Sequence, residues 1–282
     1  MKQRKKARAE EEQRNIAAGN PGDIDFIGMV REWRKENANT AVPHAADKSH
    51  PRICICVRKR PISDKEREKN DHDSVTCLNP NVWIHSAKMH VDGITKQMDH
   101  TSYKFDHAFD ETVPTDEVYQ YTAMPLIDFV CEGTGGRATV FAFGQTGSGK
   151  TYTMNGIQKL LCEDLFDQLS QEDMDDVCSL KNTDVKLSFF EMYGGFIQDL
   201  LNDRKRLKVL EDGKGEVVVS GLQEVQVATP NDFLEIVEQG NACRTTHTTE
   251  ANDTSSRSHA ICQITLRDRG TGELRGKLSL GK

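Results

Sequence analysis

The spacing of hydrophobic and polar residues divides the chain into two parts. Charged residues dominate Lys2–Ala18, and a shorter amphipathic stretch spans Ile24–Glu36, so the pattern predicts two helices. Asn20-Pro21-Gly22 between them is a helix breaker. Residues 37–51 are small and polar and end in a proline, which is typical of a linker. The first part of the chain is therefore expected to be an appendage to a larger domain.

Continuous apolar runs begin directly after the linker and predict buried strands. Ile53–Val57 and Ala138–Phe143 are typical of strands that are buried on both faces. The second run leads into a glycine-rich turn, after which apolar residues recur at helical spacing. These residues are Ile157, Leu160, Leu161, Leu165 and Leu169. A helix is therefore predicted directly after that turn.

The last third of the chain predicts a further helix and a hairpin. Thr229 is a capping residue followed by Pro230, which indicates a helix start, and Gly240 fits the end of that helix. Ala260–Leu266 and Leu274–Leu280 flank a glycine-containing turn and predict two paired strands. Strands that alternate with helices indicate an α/β domain around a central mixed sheet.

Composition and charge exclude several classes of protein. The 282 residues include 37 Lys and Arg against 44 Asp and Glu, a net charge of -7. This balance argues against a general nucleic-acid binder, because that class is usually basic. No apolar run approaches the roughly 18 residues of a membrane-spanning helix. The start of the chain also lacks an apolar signal segment, so we expect neither a membrane protein nor a secreted one.

The cysteines indicate free thiols rather than disulfides or a zinc site. The eight cysteines contain no C-x-x-C pair and do not cluster with the nine histidines at metal-ligand spacing. Cys54, Cys56 and Cys262 lie in apolar segments and are predicted to be buried thiols. Free thiols are typical of a reducing compartment, so we expect the protein in the cytoplasm.

One glycine-rich segment predicts the binding of a phosphate group. It consists of Gly144, Gln145, Thr146, Gly147, Ser148, Gly149, Lys150 and Thr151. The segment matches G-x-x-x-x-G-K-[ST] between a predicted strand and a predicted helix. Glycines let successive backbone N–H groups point at phosphate oxygens, and the helix N-terminus adds partial positive charge. Lys150 is expected to neutralise the β- and γ-phosphates and the Thr151 hydroxyl to bind Mg²⁺, so the chain is predicted to bind a nucleoside triphosphate.

Three motifs, in this order, resemble those of the kinesin motor domain. Arg58-Lys59-Arg60-Pro61 resembles R-x-R-P, residues 141–154 read FAFGQTGSGKTYTM, and residues 252–259 read NDTSSRSH, which resembles N-x-x-S-S-R-S-H. The resemblance implies a P-loop NTPase-like motor fold with a central mixed β-sheet flanked by helices. It also implies an ATPase that uses ATP and Mg²⁺, binds tubulin or microtubules, and lies on the cytoskeleton, at the spindle or the centrosome.

The resemblance assigns a role to each matching residue around the nucleotide. Arg58, Arg60 and Pro61, with Tyr152 after the glycine-rich segment, are expected to flank the adenine. Lys150 is expected to act on the phosphates as a catalytic residue.

The third motif corresponds to the family's switch I. Asn252, Ser255 and Ser256 are expected to close on the γ-phosphate and its Mg²⁺, with Ser256 joining Thr151 as a metal ligand. Arg257 matches the family arginine that pairs with a glutamate of switch II. Ser255, Ser256 and Arg257 are therefore expected to be catalytic.

Further segments resemble kinesin-13, the internal-motor class that depolymerises microtubules. They are CVRKRPISDKE at 56–66, the neck-like MVREWR at 29–34, and residues 190–224. We therefore predict that residues 1–50 form a charged tail and neck-like segment with a linker. Residues 51–282 are predicted to form the first two-thirds of a motor domain.

Two further sites are expected to contact tubulin. In kinesin-13 a Lys-Val-Asp tip on a long hairpin contacts tubulin, and this chain has His90, Val91 and Asp92 there. Histidine is mostly neutral near pH 7, so its charge contact with acidic tubulin would be weaker. The second site is a basic run at the position of a microtubule-facing loop of the family, and it includes Arg204, Lys205 and Arg206.

The sequence ends at Lys282, before the position of the family's switch II motif D-L-A-G-S-E. The motor fold is therefore expected to be incomplete at its C-terminal end, with weak nucleotide binding and little or no turnover. Two alternatives stay open, a plus-end-directed transport kinesin and a truncated, non-catalytic isoform that binds tubulin or a centrosomal partner. The oligomeric state also stays open.

Overall fold

Helices and strands account for most of the chain. The computed structural model describes residues 2–45, 52–171, 178–211, 213, 215, 217–245 and 258–282. The chain divides into two compact units, Met1–Pro114 and Thr115–Lys282. Within the described residues, no helix combines the length and the apolar character that crossing a bilayer requires.

The first unit contains helices and two small sheets. In chain order its elements are α1 (Lys2–Ala17), α2 (Ile24–Asn37), a 3-10 turn (Ala38–Thr40), β1 (Cys56–Arg58), α3 (Asp64–Glu68), β2 (Val75–Leu78), β3 (Asn81–Met89), β4 (Lys96–Lys104) and β5 (His107–Phe109). Strands β2, β3 and β4 form an antiparallel sheet, and β1 pairs with β5 in parallel. The two helices predicted at the start of the chain are confirmed. Asp23 caps α2 by accepting hydrogen bonds from the N–H groups of Asp25 and Phe26.

The prediction of a strand buried on both faces at Ile53–Val57 is wrong. Strand β1 begins only at Cys56, and the side chains of Ile53 and Ile55 are exposed. Cys54 is exposed and Cys56 only half-buried, against the prediction of buried thiols. The reason is that β5 pairs with β1 over three positions only, so the residues before Cys56 lie outside the paired region.

Helix α2 packs on the β3–β4 hairpin through the indole ring of Trp33. That ring lies 4.8 Å from the rings of Trp83 and His85 and stacks on His100 at 5.2 Å. Aromatic pairs at such distances stabilise a contact beyond the apolar area that they bury. Helix α2 is therefore joined to the hairpin by a cluster of four rings.

Charged side chains hold α2 near both of its ends. At its start, Lys96 Nζ donates to Asp23 Oδ1 at 2.6 Å and to Asp25 Oδ2 at 2.7 Å. Near its end, Arg34 Nη2 pairs with Asp73 Oδ2 at 2.8 Å. Because Lys96 is the first residue of β4 and pairs with Met89, the helix is tied to the turn end of the hairpin.

Acidification should destabilise the ring cluster. His85 is buried, with Nδ1 2.7 Å from His100 Nδ1 and Nε2 2.8 Å from Thr76 Oγ1. Burial, together with the charges of His100 and Arg34, lowers the pKa of His85 to about 4, and burial also lowers the pKa of His100. The unfolded chain takes up these protons near pH 6.5, before the folded one does. The contribution of the two neutral histidines to the free energy of unfolding is therefore fully present above about pH 6.5 and is lost as the pH falls toward about 4.

Tryptophan fluorescence can measure this effect, because the two tryptophans of the chain both lie in the cluster. We expect the fluorescence-detected melting temperature to fall between about pH 7.5 and about pH 5. His85→Gln should flatten that pH profile, whereas His90→Gln at an exposed position should not. Equal slopes in all three proteins would contradict the assignment to His85.

The second unit is built around one mixed sheet. Its elements are α4 (Thr115–Thr122), α5 (Pro125–Cys131), β6 (Gly136–Phe141), α6 (Lys150–Ser170), β7 (Thr183–Tyr193), β8 (Phe196–Asp199), β9 (Lys205–Glu211), β10 (Val217–Ser220), β11 (Val225–Val227), α7 (Pro230–Thr245), β12 (Ser258–Asp268) and β13 (Leu274–Gly281). The strand order is β10-β9-β8-β7-β12-β13-β6, with β11 also paired to β7. Strands β13 and β6 are parallel, and the predicted β12–β13 hairpin is confirmed.

The helix predicted after the glycine-rich turn is confirmed as α6. It buries Ile157, Leu161, Leu165 and Leu169 in a core shared with β7 and β12. The preceding strand differs from its prediction, because burial alternates along β6 and Phe141 and Phe143 are exposed. Alternate side chains point to opposite faces of a strand, and the core of this unit covers only one face of β6.

Gly240 lies inside α7, so the prediction that it ends the helix is wrong. A Cβ at this position would lie 2.2 Å from Cδ1 of the Phe189 ring on β7. Glycine is needed here because the helix packs closely on the strand. The predicted start is confirmed, since Thr229 Oγ1 accepts a hydrogen bond from Asp232 N at 3.1 Å.

Candidate nucleotide-binding site

The glycine-rich segment forms a tight loop between β6 and α6. The loop begins where Ala142 N donates to the Gly281 carbonyl oxygen at 2.9 Å, and it ends at Gly149, which precedes the first residue of α6 and has φ 92°. Gly144 has φ 154°, and a Cβ there would lie 2.5 Å from Ser148 Oγ. A side chain at Gly144 would therefore fill the concave face of the loop.

Two side chains in this loop fit a phosphate ligand. Ser148 Oγ is buried and has no hydrogen-bond partner among the described residues, although such groups are normally satisfied. Lys150 Nζ donates to the carbonyl oxygens of Gly144 at 2.7 Å and Gln145 at 2.8 Å. The lysine therefore holds its positive charge over the loop at the N-terminus of a 21-residue helix, an arrangement that favours an anion.

The two residues that follow Lys150 are exposed. Thr151 lies in the first turn of α6, and the side chain of Tyr152 is 72 % exposed. Thr151, the predicted metal ligand, and Tyr152, the predicted adenine contact, are therefore both accessible at the N-terminal end of α6.

The predicted adenine residues Arg58, Arg60 and Pro61 lie in the first unit, in and after β1. Arg58 Nη2 donates to the Val113 carbonyl oxygen at 3.2 Å. Arg60 forms a two-pronged ion pair with Glu66, with distances of 2.8 and 2.7 Å. Pro61 is exposed.

Glu66, which the sequence did not single out, holds the guanidinium of Arg60 in place. Its hydrogen bond with Arg60 lowers the pKa of Glu66 to about 2, and hydrogen bonds from Ser63 contribute to that shift. Ser63 and Glu66 form a capping box at the start of α3. The S-x-x-E spacing of Ser63 and Glu66 is therefore the sequence signal that could have indicated this helix start and the position of Glu66.

The predicted switch I residues Asn252, Ser255, Ser256 and Arg257 lie outside the described residues. The described residues of that motif are Ser258 and His259, the first two residues of β12. The ring centroid of His259 lies 6.2 Å from that of Phe141 at the end of β6. The end of the motif therefore lies on β12, which is separated from the strand before the glycine-rich loop by one strand, β13.

The predicted tubulin tip is a tight turn between β3 and β4. His90 N donates to the Thr95 carbonyl oxygen at 2.8 Å, and Gly93 N donates back to His90 at 2.9 Å. Asp92 Oδ1 accepts hydrogen bonds from the N–H groups of Ile94 and Thr95 at 2.9 Å, and Asp92 Oδ2 accepts one from the Thr95 hydroxyl. The hydroxyl bond, followed by the two backbone bonds, lowers the pKa of Asp92. Asp92 thus shapes the turn that leaves Val91 fully exposed.

The basic run differs from a uniformly exposed loop. Lys205 and Arg206 are exposed, and the guanidinium of Arg206 lies 4.2 Å from the Phe196 ring centroid. In contrast, the Arg204 side chain is only 15 % exposed and pairs with the buried Glu191. Arg204 therefore departs from its predicted role as a surface contact, because the buried carboxylate binds it.

A strand, a glycine loop and a long helix in this order define a P-loop nucleotide-binding protein. Residues 58–281 match the family model described as the kinesin motor domain. The chain belongs to the kinesin motor domain family.

Two known proteins show how far the likeness extends. Diatom spindle kinesin-1 of Cylindrotheca fusiformis is 56% identical over 284 residues, which cover 99% of this chain and 44% of that protein. A solved structure described as a fast kinesin, with implications for ATPase mechanism and interactions with microtubules, is 28% identical. It superposes with a TM-score of 0.67 over 81% of this chain and 64% of that chain. The predicted motor fold is thus confirmed, and the chain spans less than half the length of the diatom relative.

Proposed function

We propose that this chain binds Mg·ATP at the glycine-rich loop as part of an ATP-hydrolysing microtubule motor. Two observations support this most directly: the buried Ser148 hydroxyl has no hydrogen-bond partner among the described residues, and Lys150 holds its charge over the same loop at a helix N-terminus. Kinesin motor domains are ATPases. The match to that family therefore adds hydrolysis and microtubule binding to the proposal.

The residues of the chain divide the work around the nucleotide. Lys150 exchanges the two loop carbonyls for phosphate oxygens, and the loop N–H groups and Ser148 donate to the same oxygens. Thr151, with Ser256, would hold Mg²⁺, which supplies positive charge to the β- and γ-phosphates when bound. Catalysis of this kind consists of positioning and electrostatic stabilisation.

The other proposed contacts surround this centre. Asn252, Ser255 and Arg257 are proposed to contact the γ-phosphate side. Arg58, Arg60, Pro61 and Tyr152 are proposed to flank the adenine. In that role the ion pair with Glu66 fixes the plane of the Arg60 guanidinium before the base arrives.

The nucleotide proposal can be tested with residues 1–282 and a fluorescent ATP analogue in the presence of Mg²⁺. We expect saturable binding and a melting temperature that rises with ATP concentration, because a ligand of the folded state stabilises it. The absence of both effects in a cooperatively folded chain would contradict the proposal.

We further propose that the motor is of the depolymerising, kinesin-13 type and acts on microtubules at the spindle. The neck-like α2 precedes the motor motifs and is joined to the hairpin by Trp33 and Lys96. The hairpin ends in a turn that presents an exposed valine. The name of the diatom relative mentions the spindle, which supports the proposed location.

The hairpin tip should determine tubulin affinity. Val91→Asp places a second carboxylate at the tip and should weaken binding to tubulin, an acidic partner, by roughly tenfold. Val42→Asp, a matched change of another exposed valine, should leave binding within about twofold. Fluorescence anisotropy with labelled tubulin measures both. Equal losses in the two variants would argue against a tip contact.

A further inference from the structure

Two cysteine side chains lie in contact at the start of β1 in the first unit. The Sγ atoms of Cys54 and Cys56 are 3.5 Å apart, so both side chains lie on the same side of the backbone. A disulfide joins its two sulfurs at about 2.0 Å, so these atoms need to approach by only about 1.5 Å. Residues two positions apart in an extended chain have Cα atoms about 6.6 Å apart, which a disulfide can span. The geometry therefore permits a disulfide after a small movement of the side chains.

The backbone between the two cysteines is held in place by Asp106. Ile55 N donates to Asp106 Oδ2 at 2.7 Å, and Asp106 N donates to the Ile55 carbonyl oxygen at 3.0 Å. Cys56 is the first residue of β1 and pairs with His107 on β5. The two sulfurs are therefore kept close together by a segment that is itself bonded on both sides.

The two thiols differ in their access to solvent. All eight cysteines lie in the described part of the chain, and among them Cys54 alone is exposed. Cys56 is half-buried, and its pKa is raised, first by the hydrogen bond with Cys54 and then by burial. Burial also raises the pKa of Cys77 and Cys162 to about 11 and that of Cys262 to about 12. Because the thiolate is the reactive form of cysteine, an oxidant in solution should react first at Cys54.

We propose that Cys54 and Cys56 form a site of reversible oxidation, which a low-molecular-weight disulfide such as oxidised glutathione converts into an intramolecular disulfide. In a reducing compartment such disulfides are usually transient and serve redox sensing. The reaction involves these two residues only, so the inference is independent of the proposed nucleotide site.

The reaction consists of two thiol–disulfide exchanges. The Cys54 thiolate attacks one sulfur of oxidised glutathione, the S–S bond of glutathione breaks, and one glutathione leaves and takes up a proton. Cys56 then loses its proton to solvent and its sulfur attacks Cys54 Sγ, so that the second glutathione leaves in the same way. Two protein thiols are thereby oxidised to one disulfide, and one oxidised glutathione is reduced to two glutathione thiols.

The experiment treats folded residues 1–282 with oxidised glutathione, blocks the remaining thiols by alkylation and digests the chain with trypsin. Trypsin cleaves after Arg52 and Arg58, so one peptide, ICICVR at 53–58, contains both cysteines and no other. We expect this peptide to escape alkylation and to be lighter than its reduced form by two hydrogen atoms. Treatment with dithiothreitol should restore both thiols.

Three variants test the order in which the thiols react. Cys56→Ser should retain one glutathione on Cys54, because no second thiol is present to release it. Cys54→Ser leaves only the half-buried Cys56 and should take up glutathione at least about tenfold more slowly than Cys56→Ser. Cys243→Ser, a matched change of another half-buried cysteine, should form the disulfide within 53–58 as the unaltered chain does.

The result is decided on the unaltered chain, so it stands even if a variant does not fold. A disulfide within 53–58 supports the proposal, and a glutathione adduct trapped in Cys56→Ser supports the order of the two steps. A glutathione that persists on Cys54 of the unaltered chain would overturn the proposal, because Cys56 would then not reach the mixed disulfide. Dimers linked through Cys54 would overturn it too, as would a peptide that stays fully reduced.

Discussion

Lys150→Ala is expected to weaken binding of the fluorescent ATP analogue by about a hundredfold. The ammonium group now satisfies two loop carbonyls, and in the nucleotide complex it would form charge-assisted bonds to phosphate oxygens. Loss of one partner from such a pair costs about 3 kcal/mol, which corresponds to roughly a hundredfold in affinity. Fluorescence titration in the presence of Mg²⁺ measures the change.

A second lysine of the same helix provides the control for this prediction. Lys159 is exposed on α6, so Lys159→Ala removes the same charge without changing the loop. It should bind nucleotide as the unaltered chain does, and both variants should melt within a few degrees of it because neither change affects the core. Normal affinity in Lys150→Ala would show that the glycine-rich loop does not hold the phosphates.

Gly276→Ala is expected to destabilise the second unit by about 3 kcal/mol. Gly276 lies on β13, and a Cβ there would come 2.0 Å from the carbonyl oxygen of Val130 in α5. Its neighbour across the parallel pair is Gly136, where a Cβ would lie 2.9 Å from the Phe129 carbonyl oxygen. Two glycines side by side therefore let the backbone of α5 lie close to the sheet, and that backbone has no rotamer with which to move aside.

Far-UV circular dichroism in denaturant is the appropriate measurement, because both tryptophans lie in the first unit. Gly270→Ala provides the control, since a Cβ in that turn would make only an ordinary contact of 3.4 Å with Asp268. It should stay within about 0.5 kcal/mol of the unaltered chain. An equally stable Gly276→Ala would mean that α5 packs farther from β13 than the structure shows.

Local pattern predicted several of the regular elements. The charged and amphipathic segments before residue 40 became α1 and α2, and the apolar spacing after the glycine-rich loop became α6. These predictions succeed because a helix and its caps are specified by residues within a few positions of one another. Burial was predicted less well, as Ile53, Ile55 and Phe141 show, because it depends on which distant element covers a strand.

The candidate site shows the same division. The glycine-rich loop is identifiable from eight consecutive residues, since its chemistry depends on backbone conformation and one lysine. The different environments of Arg204 and Arg206 could not be predicted in the same way, because in the sequence both are arginines of one basic run. Only the fold places Glu191 beside the first of them.

The sequence by itself determined the family of this protein and the position of the predicted phosphate-binding loop, together with the helices α1, α2 and α6 and the β12–β13 hairpin. The tertiary structure decided the roles of Gly240 and Gly276, which serve close packing, and the partners of Arg34 and Arg204. The physical reason is distance along the chain. Helix capping and hydrophobic periodicity depend on residues within one or two turns. The partners of a buried carboxylate, and the close packing at a glycine, depend on an element that is tens of residues away in the sequence.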